Sequence, residues 1–419
     1  MQKKTSASIK NPAKKATKRT ANLAPKKKVT TAKPRHSSFS LSKTKRQVIY
    51  VFQGGGALGA YQVGVAESLT EHGYNPNMVI GISIGAINAA IMAGNKPENR
   101  LIRLHQFWDK ITSVIPFPAY RTKSSIKYHH WLSANSALMF GQHSFFKPRL
   151  INPFMIPAET PDNFSFYDTA PLYKTLEELI DFKYLNEGHV RLCLGSVELE
   201  SGEFIFFDNR EQVIEPKHIV ASAALPPGFP PVKIGDKYYV DGGVYSNTPL
   251  FKIIDEFAES KEDMRNILCF MVDLFSLKGV LPHSMDGLLE RIKDIRYSSH
   301  AKRASSLYAT TQNLSHAINY LTSKMTKEQL KDPKIQEIVK LGYAHRIDIV
   351  HLIYRSQKGT ELESKDYEFS YESSKIHRMM GYEDTAQIIK EEEYNWTKRD
   401  QSGLSVYTLN DGHSLTYKI

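Results

Sequence analysis

Cysteine is nearly missing from this chain: Cys193 and Cys269 are the only two in 419 residues. Each stands in an apolar, strand-like run, which reads as core packing in a reducing compartment and argues against a disulfide-built fold. Cys and His nowhere cluster at metal-ligand spacing, so no metal site is expected, and nothing in the chain calls for an organic cofactor. No apolar run reaches about 18 residues, which removes a membrane-spanning helix. The amino terminus is charged but has no apolar core segment, so an ordinary signal peptide is not expected. No internal repeat is present. Negative charge is also missing where it would be noticed first: residues 1–46 hold 15 Lys and Arg and no Asp or Glu.

The whole chain is 41% hydrophobic, enough for one large α/β domain with an added region. Beyond residue 46 the chain carries 40 basic against 44 acidic side chains, so the net +11 comes entirely from the amino-terminal tail. That tail is rich in Ala, Thr, Ser and Pro, cannot bury a core, and is expected to be disordered. Its clusters Lys14-Lys15, Lys18-Arg19 and Lys26-Lys27-Lys28 suit phosphate groups, on anionic lipid or on nucleic acid. A solvated tail that binds nothing specifically is the plainer alternative. The expected location is cytoplasmic and peripheral to a membrane, with secretion by a route needing no amino-terminal signal left open.

Gly81-Ile82-Ser83-Ile84-Gly85 follows the apolar run Met78 to Ile80 and opens a stretch of small residues, Ala86 to Gly94. This is the pattern of a serine on a sharp strand-to-helix turn, where Gly81 and Gly85 let neighbouring chain pass close by. Upstream, Gln47 to Gln53 reads as a buried strand that runs into Gly54-Gly55-Gly56-Ala57-Leu58-Gly59, and a helix follows from Ala60 to His72. Consecutive glycines leave backbone N–H groups unshielded, as an oxyanion hole requires. Because the loop and Ser83 end neighbouring strands of one strand–helix–strand unit, both should open on the same sheet edge. Further on, Asp241-Gly242-Gly243 ends the run Lys237 to Val240 and suits a tight turn that presents a carboxylate.

Two other readings compete. The glycine loop also fits G-x-G-x-x-G, but the second strand ends in Gly81-Ile82-Ser83 and offers no acid for a ribose. An α/β-hydrolase triad would need a histidine after its acid; His283, His300, His316, His345 and His351 are available, and only His351, in the apolar run 346–354, has a weak turn context. A catalytically silent lipid- or nucleic-acid-binding protein that relies on its tail is the alternative outside hydrolase chemistry.

Taken in order, Gly54 to Gly59, Gly81 to Gly85 and Asp241-Gly242-Gly243 resemble the patatin-like phospholipase family. The segment Ser222-Ala223-Ala224-Leu225-Pro226-Pro227-Gly228-Phe229-Pro230-Pro231 is similar to the proline-bearing stretch that family carries before its aspartate. One departure is visible: Leu58 stands where the family usually has Arg or Lys, so a cationic side chain is missing while the backbone donors are unaffected. The resemblance covers about residues 47–275. It implies a three-layer α/β fold with a mainly parallel sheet, and a Ser83–Asp241 dyad that cleaves acyl esters of phospholipids or other glycerolipids at a membrane surface. It further implies an oxyanion hole within Gly54, Gly55, Gly56, Ala57 and Gly59, with Gly55 and Gly56 foremost and Ile84 as a helper. A desolvated Asp241 would have to serve as the base directly.

The expected organisation is a basic tail (1–46), a catalytic domain (47–275) and a mostly helical carboxy-terminal extension (276–419). That extension resembles one found in a bacterial subgroup of the family and offers a cap or a surface for homo-oligomers. Strands are expected at 190–198, 204–207, 232–240 as a hairpin, and 266–275, the last closing the sheet. Helices are expected at 168–182, 216–224, 249–259, 284–322 and 327–341, with an added strand at 347–354. Residues 111–166 read as a long connecting segment, aromatic and basic at once, that forms an acyl-binding wall, a lid or a covering loop.

Overall fold

A computed structural model of the chain describes residues 46–113, 122–155, 160–248, 252, 266–342, 346–356, 361–398, 403–410 and 413–418. The expected tail, apart from Arg46, and the helix expected at 249–259, apart from Lys252, lie outside the described residues. All described residues fall in one compact unit.

The strands are β1 (Gln47–Phe52), β2 (Met78–Gly81), β3 (Lys147–Pro148), β4 (Tyr167–Asp168), β5 (Arg191–Glu198), β6 (Phe204–Asp208), β7 (Val232–Ile234), β8 (Lys237–Asp241), β9 (Asn266–Asp273), β10 (Arg346–Ile353), β11 (Gly403–Asn410) and β12 (His413–Lys418). The helices are α1 (Ala60–Glu71), α2 (Ile84–Ala93), α3 (Pro97–Ile111), α4 (Lys123–Phe140), α5 (Ala170–Leu179), α6 (Phe182–Asn186), α7 (Pro216–Ser222), α8 (Met285–Ser323), α9 (Pro333–Leu341) and α10 (Tyr371–Lys398).

Ten strands form one sheet in the order β12-β11-β10-β9-β1-β2-β5-β8-β7, with β6 also on β5. From β11 to β5 the neighbours run parallel, and antiparallel strands finish both sides. The period-2 pattern explains why the middle is buried twice. Val48, Tyr50 and Phe52 of β1 join one core cluster with α1 and α2, while Ile49 and Val51 join a second on the other face with Cys193 and Cys269. Both thiols are free and buried.

Two expectations need correction. The strand at 266–273 does not close the sheet: β9 lies between β1 and β10, and three strands from beyond residue 345 carry the sheet onward. An apolar strand pattern gives burial, and burial on both faces is what an interior position demands. The segment 111–166 is not a loop throughout, because it contains the five-turn α4, begun by a reciprocal Thr122–Ser125 capping pair. Its mixture of Ser, His and aromatics concealed the helical period.

The chain after residue 275 is woven into the rest. Strand β10 pairs along the full length of β9. Helix α10 crosses α1 so closely that a methyl group on Gly64 would strike the Arg378 carbonyl, and one on Gly381 the Tyr61 carbonyl.

Candidate active site

Register brings Ser83 and Asp241 together. Gly81, the last residue of β2, lies opposite Phe52 on β1 and Leu194 on β5. Beyond that point β8 takes over the same side of β5, with Asp241 opposite Ser196, because β6 occupies the other side. Two residues along a strand span about 6–7 Å, so the turn after β2 and the end of β8 meet at one spot. The glycine loop after β1 opens there too.

Ser83 is strained: its φ is 57° and its ψ −128°, a left-handed conformation that a non-glycine residue seldom adopts. It stands at the amino end of α2, and its side chain makes no cap to that helix. Its N–H donates to Ser222 O at 2.9 Å, while the Asp241 N–H donates to Ala224 O at 3.0 Å. One short stretch of chain therefore positions both residues. The Ser222 hydroxyl in turn donates to Gly195 O on β5 at 2.5 Å, and that of Ser196 to Val240 O at 2.7 Å.

Asp241 is buried, with 1% of its surface exposed. Its Oδ1 accepts the Gly243 N–H at 2.7 Å, and its Oδ2 is buried without a hydrogen-bond partner among the described residues. Burial pushes the carboxyl up to about 7, against the opposing pull of the Ser83 hydroxyl and the Gly243 N–H. An aspartate of this kind changes protonation near neutrality, as a general base must.

The loop Gly54 to Gly59 ends in a single 3-10 turn, Gly56–Gly59. The first N–H groups of such a turn have no acceptor within it, and Gly55 and Gly56 are half-exposed between buried neighbours, as is Ser83. Gly54 cannot carry a side chain: a methyl there would stand 2.5 Å from Asn247 Oδ1 and 2.8 Å from Ser83 Cβ. Gly56 has φ 54°, and a methyl on it would strike the Asp366 carbonyl. Gly59 packs on Ile84, and Leu58 is wholly buried in the core, where a cationic side chain would lose its hydration. Gly81 lies against Gly85 O, Gly85 against the Phe52 and Gln53 carbonyls at the end of β1, and Gly242 against Gly195 O.

Several supporting residues were not legible as site residues. Asn247 Nδ2 donates to Gly54 O at 2.9 Å. Buried Gln53 accepts the Leu274 N–H at 2.5 Å and donates to Thr248 Oγ1 at 3.0 Å and to Tyr297 O at 3.2 Å. Thr248 continues to Asp273 Oδ1 at 3.0 Å, and the other oxygen of Asp273 meets His351 Nε2 at 2.8 Å. His351, the triad candidate, therefore serves Asp273 on β9. Asn88 ties α2 to the loop, donating to Gly59 O at 3.0 Å while accepting from Trp108 Nε1 at 3.0 Å.

The extension reaches the same place. Its 3-10 turn Glu363–Tyr367 sets the Asp366 carbonyl against Gly56, and Lys293 of α8 holds that turn through Asp366 Oδ1 at 2.8 Å and Glu363 Oε1 at 2.6 Å. Among the described residues no group of acidic, Cys and His side chains is arranged to hold a metal.

The sequence matches a family model described as patatin-like phospholipase over residues 50–253, and another described as patatin phospholipase over residues 295–402. No curated protein matches it. Among solved structures, the crystal structure of VipD from Legionella pneumophila aligns at 14% identity and a TM-score of 0.36, covering 90% of this chain and 69% of that one, a likeness too weak to bear on chemistry. The two family models span both the glycine loop with its serine turn and the helices that buttress them, and the chain belongs to the patatin-like phospholipase family of lipid acyl hydrolases.

Proposed function

We propose that the protein cleaves fatty-acyl esters of phospholipids or other glycerolipids through Ser83 and Asp241, at a membrane surface. Ser83 Oγ attacks the acyl carbonyl carbon while Asp241 Oδ2 takes the hydroxyl proton. The resulting oxyanion lies at the N–H groups of Gly54, Gly55, Gly56 and Ala57, with that of Ile84 beside them, each such donor contributing on the order of 3 kcal/mol to the transition state. Collapse of the intermediate expels the lipid alcohol, which leaves with the proton from Asp241. Water then attacks the acyl-serine, again yielding a proton to Asp241, and release of the fatty acid returns that proton to Ser83. The observation that supports this most is the buried, unpartnered Oδ2 of a carboxyl raised to about 7, beside a strained serine. Residues 47–275 would carry the chemistry, residues 276–419 would brace it and offer the surface for any homo-oligomer, and the tail would hold anionic lipid.

The test is fatty-acid release from mixed phospholipid vesicles by the wild type, Ser83→Ala and Asp241→Asn. Both variants should fold and lose about 10⁴-fold or more in rate. Release that survives Ser83→Ala overturns the mechanism, and a folded wild type without release on any phospholipid or glycerolipid overturns the substrate class.

A further inference from the structure

Residues 110–158 contain six Lys and Arg and no Asp or Glu. Within them α4 exposes Trp131, Leu138, Met139 and Phe140, and the following segment exposes Leu150, Ile151, Phe154 and Met155. These two sets belong to one patch. The Tyr167 hydroxyl donates to Leu138 O at 2.8 Å, the Arg149 N–H donates to Phe166 O at 2.9 Å, and the Phe154 and Phe166 rings lie 6.1 Å apart. The patch also adjoins the site: the Phe166 N–H donates to Pro227 O at 3.1 Å, three residues from the Ala224 carbonyl that holds Asp241.

Contiguous exposed apolar surface of this kind marks an interaction site. Here the apolar side chains are large, and the charges on α4, Lys123 and Lys127, are both positive, while Lys147 in the following segment is paired with Asp168 at 3.2 Å. A protein partner that matched this surface would need an acidic rim around an apolar groove. A bilayer with anionic headgroups supplies both chemistries at any orientation about its normal. We infer that α4 and the segment 150–155 form the face by which this protein inserts into an anionic bilayer, beside Ser83 and Asp241. The inference deepens the proposed activity and rests on it for the purpose of docking, but its test does not depend on turnover.

Tryptophan makes the test specific. Of the three in the chain, Trp108 and Trp396 are each 1% exposed, whereas Trp131 is 51% exposed and lies in the patch. The full chain is mixed with vesicles of phosphatidylcholine and phosphatidylglycerol carrying brominated acyl chains, and with brominated phosphatidylcholine alone. Insertion shifts Trp emission to the blue and quenches it on the anionic vesicles, and Trp131→Phe removes that response. The triple variant Leu150→Ser, Ile151→Ser, Phe154→Ser changes exposed side chains only, so it should keep its melting temperature and its rate on a short water-soluble ester. It should bind the anionic vesicles about tenfold or more weakly. Binding without Trp131 quenching would mean that the basic tail alone holds the membrane and would overturn the inference. So would a blue shift that grows with protein concentration in the absence of lipid, which would make this the face of a dimer. Insertion by a protein that hydrolyses no lipid ester would leave the docking face standing and sink the proposed activity instead.

Discussion

Residues 50–253 and residues 295–402 match different family models and serve one site in unlike ways. The first region holds the proposed dyad, Ser83 and Asp241, on turns drawn tight by glycine. The second holds none of them; it supplies the Asp366 carbonyl against Gly56, His351 against Asp273, and α10 laid along α1. Chemistry is concentrated in a few residues and support is dispersed over many. The difference should show in what each region loses when it is mutated: rate in the first, stability in the second.

The largest effect on stability is expected inside the extension. Lys365 is buried with Asp294 at 2.7 Å and Glu290 at 3.2 Å, and those carboxylates hold its ammonium above the usual lysine range although burial opposes it. Lys365→Met would strand two carboxylates and should cost about 3–5 kcal/mol in chemical denaturation, with the soluble-ester rate of the remaining folded protein changed far less.

Asp241→Asn should do the reverse, removing rate while adding stability. The unfolded carboxyl titrates near 3.8 and the folded one at about 7. The folded state therefore binds the proton more tightly, so stability is greatest below about 4 and falls as pH rises through about 7. Above that pH the amide variant should be the more stable, by roughly 4 kcal/mol at most, and below about 4 the gap should close. The same titration predicts an acid limb of kcat/KM near pH 7 in the wild type; a limb near 4 would mean that Asp241 is hydrated and the site is built differently.

Gly381→Ala tests the helix crossing. The added methyl meets backbone, which cannot yield as a side chain would, and should cost about 1–3 kcal/mol by thermal melting. Smallest, and the one change in the extension expected to reach the rate, is Lys293→Met, which frees the turn that lies on Gly56. It should lower kcat about tenfold with KM nearly unchanged, and Lys293→Arg should restore most of the loss. An unchanged kcat would mean that the glycine loop keeps its shape without the extension.

How far the sequence could be read follows the same division. Ser83, Asp241 and the glycines were legible because a sharp turn or an exposed N–H demands particular residue types at fixed spacing. Strands such as Arg191–Glu198 and Phe204–Asp208 were legible from apolar runs between turn residues. Asn247, Gln53 and Asp366 were not, since a hydrogen bond to a distant carbonyl places no demand on the neighbours in sequence. The place of β9 was hidden for a related reason. An apolar run tells that both faces are covered, not which strand lies alongside, and that depended on β10 some eighty residues further on. Helix α4 escaped because its exposed face is as apolar as its buried one, which erases the usual contrast between the two.

The shared suspension of Ser83 and Asp241 from the Ser222 and Ala224 carbonyls has a consequence for motion. Two groups fixed to separate strands would drift apart and together as the sheet flexes, and a proton transfer between them would be interrupted at the same rhythm. Hung from carbonyls two residues apart, they ride on one carriage. Flexing of the sheet should then carry the pair together and disturb the gap between hydroxyl and carboxylate less than if each group were held by its own strand alone.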